Sequence, residues 1–341
     1  MKIIISLIVL GIVIIIHELG HFLSAKFFKI PVSEFSIGMG PEVYTYDGDR
    51  TKYSFRAIPI GGYVNIKGME IGDDIENGFN KKNPFVRFIV LIAGVFMNFL
   101  LAYVILFGMY YSSGEIILNN KPIIGQVLER QSNYKNPLKV NDKILKINDE
   151  KIVEWNDIKT SVYNLKNKGQ AVNILVLRDN QEKNIQVKLE KNDRNNEYYF
   201  GIIPEYTVRK NGVLKTLKLS SQGFVETFKQ IFLGFEKLVK GEVNKKEISG
   251  PIGIINIVGE ASQNGIGSLV WLVAILSINI GIFNLLPFPA LDGGRILFII
   301  LELLGIKIDK EKEESIHKVG MIMLFLLIIF VTTNDFFNLG N

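Results

Sequence analysis

The chain has 341 residues, 48% of them hydrophobic and 21% charged, with no cysteine and a formal net charge of +5. A mean hydropathy of +0.23 is too high for a wholly soluble protein, and the composition excludes a disordered chain, a collagen-like repeat and a disulfide scaffold. No stripe of Lys and Arg interleaved with aromatics occurs, so the basic excess argues for no nucleic-acid partner.

The charges are unevenly spread. Residues 116–215 hold 30 of the 73 charged side chains, whereas the stretches 3–16, 88–111, 268–291 and 319–334 hold none. Crossing a lipid bilayer takes roughly 20 apolar residues at 1.5 Å rise each. The pattern therefore predicts a multi-span α-helical membrane protein with four transmembrane helices and one polar insert. In chain order the expected segments are a first span over 1–28, a membrane-associated segment over 29–84 and a second span over 85–111. A polar domain over 116–205, an amphipathic helix over 216–245, a third transmembrane segment over 249–305 and a fourth span over 319–335 follow. Between Phe22 and Arg87 lie nine basic residues, and five more lie between Arg295 and Lys318, with none beyond. By the positive-inside rule both of those connections face the cytoplasm, which puts both termini and the polar domain outside.

The first span is unusual. Lys2, an apolar run and Leu23-Ser24-Ala25 also fit a secretory signal, but a signal peptide has no reason to carry His17-Glu18-Leu19-Gly20-His21. In a helix, residues four apart share a face, so both imidazoles can bind one Zn²⁺ at about 2.0–2.1 Å. Glu18, about 100° around the helix, can then take a proton from a water that the metal acidifies. Two of the three histidines in the chain lie in this pentad, and ionisable groups inside a span are functional candidates. A catalytic zinc takes three protein ligands and keeps one position open. Asp292, in Asn284-Leu-Leu-Pro287-Phe-Pro289-Ala-Leu-Asp292-Gly-Gly-Arg295, is the expected third. The prolines break the helix, and Gly293 and Gly294 are expected to free the backbone around the carboxylate. His317 sits in a charged run and reads as surface.

The two motifs together resemble the site-2 protease family of intramembrane zinc metalloproteases, with a closer likeness to its bacterial RseP-type members. Phe35-Ser-Ile-Gly-Met-Gly-Pro41 and Arg56-Ala-Ile-Pro-Ile-Gly-Gly-Tyr-Val64 are similar to the family's β-hairpin segment. Ala93-Gly-Val-Phe-Met-Asn98-Phe-Leu-Leu-Ala102 is similar to its second span, and Ser249-Gly-Pro-Ile-Gly253 to the element before its third. The resemblance implies one zinc per chain on His17, His21 and Asp292, with Glu18 as base and Asn284 against the substrate backbone or the developing oxyanion. It also implies that Gly61, Gly62, Tyr63 and Val64 offer a strand edge to substrate, although Gly61-Gly62 read alone equally suits a tight turn. The implied site is a bacterial cytoplasmic membrane, and the implied substrates are single-span proteins such as anti-sigma factors, or remnant signal peptides.

Within the polar insert, segments 123–129, 143–147, 151–153, 171–178 and 184–190 have strand patterns, and 155–167 has helical spacing. That order resembles a PDZ domain, and Leu138-Lys-Val-Asn-Asp142-Lys-Ile-Leu-Lys-Ile-Asn-Asp149 is similar to its recurring L-x-x-G-D-x-I-x-x-[IV]-N-G stretch. Asn141 and Asp149 stand where glycine is usual, and both residue types accept left-handed backbone. The segment 132–137 departs from the usual small-residue run, so a peptide groove and a steric filter over the active site both stay open. After the insert, Phe224, Phe228, Ile231, Phe232, Phe235, Leu238 and Val239 follow a 3.6 period. That face would lie on the outer membrane surface or pack on the polar domain. A different class of function is a non-proteolytic adaptor with structural zinc, recruiting partners through the PDZ-like domain. Structural zinc sites are closed by four protein ligands, and only three candidates lie within the apolar segments.

Overall fold

The computed structural model describes residues 1–70, 75–128, 136–164, 171–191, 198–242, 250–306 and 308–339. Features expected at Glu129, 132–135, 165–167, 243–245, Ser249 and Lys307 lie outside the described residues. The helices are α1 (Lys2–Phe27), α2 (Pro84–Ser113), α3 (Trp155–Asn164), α4 (Val213–Val239), α5 (Pro251–Gln263), α6 (Ile266–Leu285), α7 (Asp292–Leu303) and α8 (Lys310–Leu339). Among the described residues, α1, α2, α6 and α8 are long and apolar enough to cross a membrane. The chain divides into a unit built from Met1–Tyr110 and Val213–Asn341 and a second unit, Tyr111–Gly212.

In the first unit, α5 and α6 pack on α1 around Val9, Val258 and Leu272. Ala102 and Leu106 of α2 meet Ala274, Ile278 and Ile282 of α6. Phe224, Phe228 and Ile231 of α4 cover that contact, with Phe224 and Phe228 edge-on to Phe99. Phe224, Phe228 and Ile231 of α4 are thus used against α2 and α6, while Phe232 of the same face is 52% exposed. The side chains of Phe235, Leu238 and Val239 lie outside those described. Asp335, near the end of α8, is buried and accepts backbone N–H bonds from Gly250, Ile252 and Gly253 at 2.9–3.1 Å. It satisfies donors at the start of α5 that would otherwise be orphaned in an apolar setting.

Between α1 and α2 runs a twisted hairpin, β1 (Val32–Asp47) and β2 (Lys52–Ile66). Each strand acts as two. Residues 34–37 pair with 62–65 on one side and 52–55 on the other, and 52–55 pair again with 44–47. A polar knot holds these segments together. The Glu34 carboxylate accepts from Ser54, from Arg56 Nη2 at 2.7 Å and from Tyr63 Oη at 2.7 Å. Arg56 also donates to Ser36 Oγ at 3.0 Å and to the Gly40 carbonyl at 2.8 Å. Gly61 and Gly62 lie inside β2, so the tight turn is not what they form.

The second unit carries a sheet ordered 150–151, 143–147, 171–178, 181–188, antiparallel throughout. It packs with α3 around Ile144, Ile147, Ile158, Val162, Ile174 and Val176. The last strand starts at Gln181 rather than 184. Asp179 and Asn180 both take positive φ, 53° and 60°, making a two-residue turn whose twist matches the flanking strands. Asn141 is left-handed as expected, at φ 71°, but Asn148 at φ 50° takes that conformation in place of Asp149. Asp142, fully buried, pairs with Arg178 through two 2.7 Å bonds.

The hairpin knot has a pH signature. Burial alone would raise Glu34, but the donors Ser54, Tyr63 and Arg56 outweigh it and hold the carboxyl at about 2, against an ordinary 4.5. A depressed carboxyl contributes stability that is complete above its unfolded pKa and is lost as pH falls through the folded one. Thermal unfolding of the purified protein should therefore weaken from about pH 4.5 down to 2, and Glu34→Gln should flatten that window. A variant as acid-sensitive as the parent would show that Glu34 carries none of the effect.

Candidate metal centre

His17 and His21 are buried on one face of α1, and Asp292 opens α7, where a helix N-terminus favours a carboxylate. Asp292 Oδ2 lies 3.0 Å from His17 Nε2 and 3.2 Å from His21 Nε2, and the two Nε2 atoms are 3.2 Å apart. Three lone-pair atoms at such spacing repel one another unless a cation or shared protons lie among them. Ligands of a tetrahedral zinc with bonds of 2.0–2.1 Å stand about 3.3 Å apart, so the triad fits that ion. His21 Nδ1 is 2.8 Å from the Val90 carbonyl. As the donor to that oxygen, Nδ1 carries the proton and leaves the Nε2 lone pair for metal.

Close helix approach makes this convergence possible. A Cβ built on Gly94 of α2 would fall 2.4 Å from His21 Nε2 and 2.8 Å from His17 Cε1, and one on Gly20 would fall 2.2 Å from the Ala93 carbonyl. No other residue leaves room there for both rings.

The loop between α6 and α7 is held from several sides. Gly293 and Gly294 lie buried in the first turn of α7. Cβ atoms there would meet the Leu286 and Phe288 carbonyls at 2.3 and 2.4 Å. Their role is therefore close packing of the loop rather than the backbone freedom expected from sequence. Ala290, with φ 83°, donates its N–H to His317 Nδ1 at 3.0 Å. The surface reading of His317 is thus corrected. It is 5% exposed, because α8 begins at Lys310 and turns this residue inward, with Glu313 and Glu314 half-buried beside it and Glu311, Lys312 and Lys318 exposed.

A cavity of about 290 Å³ adjoins the triad and is lined by Glu18, Asn284 and Val64 with apolar walls from Ile14, Leu91 and Ile280. His17, Glu18, His21, Asn284, Asp292 and Val64 are therefore brought together. Gly61, Gly62 and Tyr63 are not among the residues lining it. The Tyr63 hydroxyl is engaged with Glu34 and Arg56 in the hairpin knot. Asn284 Nδ2 donates to the Ile280 carbonyl at 3.0 Å. Sequence reasoning assigned no role to Val90, Gly94 or Asn98, although a glycine and an amide inside an apolar span are signals of close packing or polar function.

The space beside Gly94 yields a direct test. Gly94→Ala should lower bound zinc, measured by mass spectrometry of the purified protein, by roughly 10-fold or more, with helix content by circular dichroism unchanged. Zinc content equal to the parent's would mean the rings tolerate a methyl group there.

A model of peptidase family M50 matches residues 5–327. The chain is 48% identical to a candidate zinc metalloprotease of Fusobacterium nucleatum over 341 residues, covering 100% of both. It is 35% identical to another from Clostridium acetobutylicum, covering 98% of this chain and 97% of that one. A third relative, the regulator of sigma-W protease RasP of Bacillus subtilis, is 29% identical over 96% of each. With a triad of zinc-ligand type inside a multi-pass membrane protein, the chain belongs to peptidase family M50, the site-2 protease family of zinc metalloproteases.

Proposed function

We propose that this protein hydrolyses peptide bonds of single-span membrane proteins or remnant signal peptides, using one zinc held by His17, His21 and Asp292. The observation that carries the reading is the convergence of three ligand atoms, beside the Glu18 carboxyl, on an open cavity. Three protein ligands with space alongside suit a catalytic ion, whereas a structural one is closed by four. When bound, zinc supplies Lewis acidity that makes a water nucleophilic near neutral pH and polarises a carbonyl. Glu18 takes one proton from the attacking water as the water oxygen bonds to the scissile carbon and the carbonyl π pair moves onto its own oxygen. It returns the proton to the amine nitrogen as the C–N bond breaks. Asn284 keeps a second amide N–H for the carbonyl oxygen as charge develops there, and a donor so aimed is worth several kcal/mol.

Substrate adds as a strand along residues 62–65. Their outer edge has no strand partner among the described residues, and Val64 and Ile66 line the cavity with Glu18. Strand addition suits the chemistry, because a helical peptide bond is shielded and already hydrogen-bonded, and an added strand exchanges those bonds for new ones. The second unit offers a site for recruitment alongside proteolysis. An apolar cavity of about 640 Å³ there lies between α3 and residues 198–202, lined by Trp155, Ile158, Val162, Tyr198 and Phe200. The charge distribution supports a bacterial cytoplasmic membrane with both termini and the second unit outside.

Glu18→Gln should keep zinc at the parent's level while cleavage of a membrane peptide in liposomes falls at least about 100-fold, the lower range for a lost general base. Membrane proteomics of cells carrying that variant should show single-span fragments accumulating; cleavage at the parent's rate would remove Glu18 from the mechanism. Because the chain has no cysteine, orientation can be read with single introduced thiols. Gln181→Cys should react with an impermeant maleimide added to intact cells stripped of their outer barrier, and Asp49→Cys only after lysis. The reverse pattern would invert the topology.

A further inference from the structure

The ring of His17 contributes Nε2 to the triad, so a neutral His17 that binds metal carries its proton on Nδ1. A buried N–H needs an acceptor. Facing Nδ1 at 3.4 Å is the side-chain amide of Asn98, through Nδ2. Asn98 is 0% exposed, and its Oδ1 is buried with no hydrogen-bond partner. Two mismatches therefore stand together: a donor facing a donor, and an orphaned acceptor next to them. A half-turn of the amide exchanges oxygen and nitrogen at nearly the same positions and gives the Nδ1 proton its acceptor. The Asn98 main chain is itself pinned, its carbonyl accepting from Ser277 Oγ on α6 at 2.8 Å. Val90, Gly94 and Asn98 then form one stripe of α2 at four-residue spacing. The Val90 carbonyl orients His21, Gly94 leaves room for both rings, and Asn98 orients His17.

We propose that Asn98 is a positioning residue whose side-chain oxygen fixes the metal-binding tautomer and orientation of His17. This rests on the zinc reading above. The experiment measures Zn²⁺ affinity of the detergent-solubilised full chain by chelator competition, with the visible spectrum of the Co²⁺-loaded protein as a second readout. Asn98→Leu has similar size without an acceptor, Asn98→Asp keeps one, Ser277→Ala disturbs only the neighbouring helix contact, and His17→Ala removes a ligand. Expected results are loss of zinc binding in His17→Ala and roughly 10–100-fold weaker binding with a shifted Co²⁺ spectrum in Asn98→Leu. The parent's affinity should persist in Asn98→Asp and Ser277→Ala. Asn98→Leu binding zinc as tightly as the parent, or Asn98→Asp losing as much as Asn98→Leu, overturns the proposal. If Asn98→Leu yields no folded protein, Asn98→Asp decides, and weaker binding than the parent's overturns the proposal. His17→Ala retaining the parent's zinc overturns the zinc reading itself, and this one with it.

Discussion

Three electron-rich atoms held 3.0–3.2 Å apart in an apolar surround are the constraint on which the rest of this protein depends. Nothing in hydrocarbon solvates such a group, so every polar atom around it must be satisfied by protein or by an ion. The Val90 carbonyl, the glycine gap at Gly94 and the helix start at Asp292 answer that demand. They come from α2 and α7 and meet the histidines of α1, which is why the packing of small residues matters as much as the ligands. A single methyl group in the wrong place would separate the rings.

Polar chemistry recurs wherever the chain leaves simple helix. The hairpin depends on one guanidinium and one carboxylate joining three strand segments and the Gly40 carbonyl, and α5 is anchored by a carboxylate from the far end of α8. In each case a charged side chain replaces water for backbone or side-chain groups in an element too short or too twisted to satisfy itself. The hairpin that results contributes Val64 and Ile66 to the cavity lining and keeps its charged knot among its own strands.

Much of this was legible in sequence because the chemistry is local. His17, Glu18 and His21 share one helical turn and Asp292 sits in a distinctive proline and glycine setting, so residue type and spacing are enough to nominate them. The four spans follow from charge-free length. What could not be read depends on tertiary neighbours. Val90 acts through a carbonyl that any residue possesses, and Gly94 acts by what it lacks. His317 was hidden by the opposite effect: its neighbours in the run 310–318 are charged and polar, yet one helix can present charges to water and an imidazole inward. Gly293 and Gly294 were correctly marked as special but for a different reason, since it is the approach of the Leu286 and Phe288 carbonyls that excludes a side chain.

The Ala290–His317 bond has a consequence for synthesis. The first two ligands emerge with the opening helix, but Asp292 follows 271 residues after His21, and the strained loop before it is braced by a residue of the final span. During translation the growing chain therefore carries an incomplete triad until residue 292 has been added. Until residue 292 has been added, the two imidazoles of the opening helix have no carboxylate partner, so the triad is a product of tertiary assembly and not of the motif-bearing helix alone.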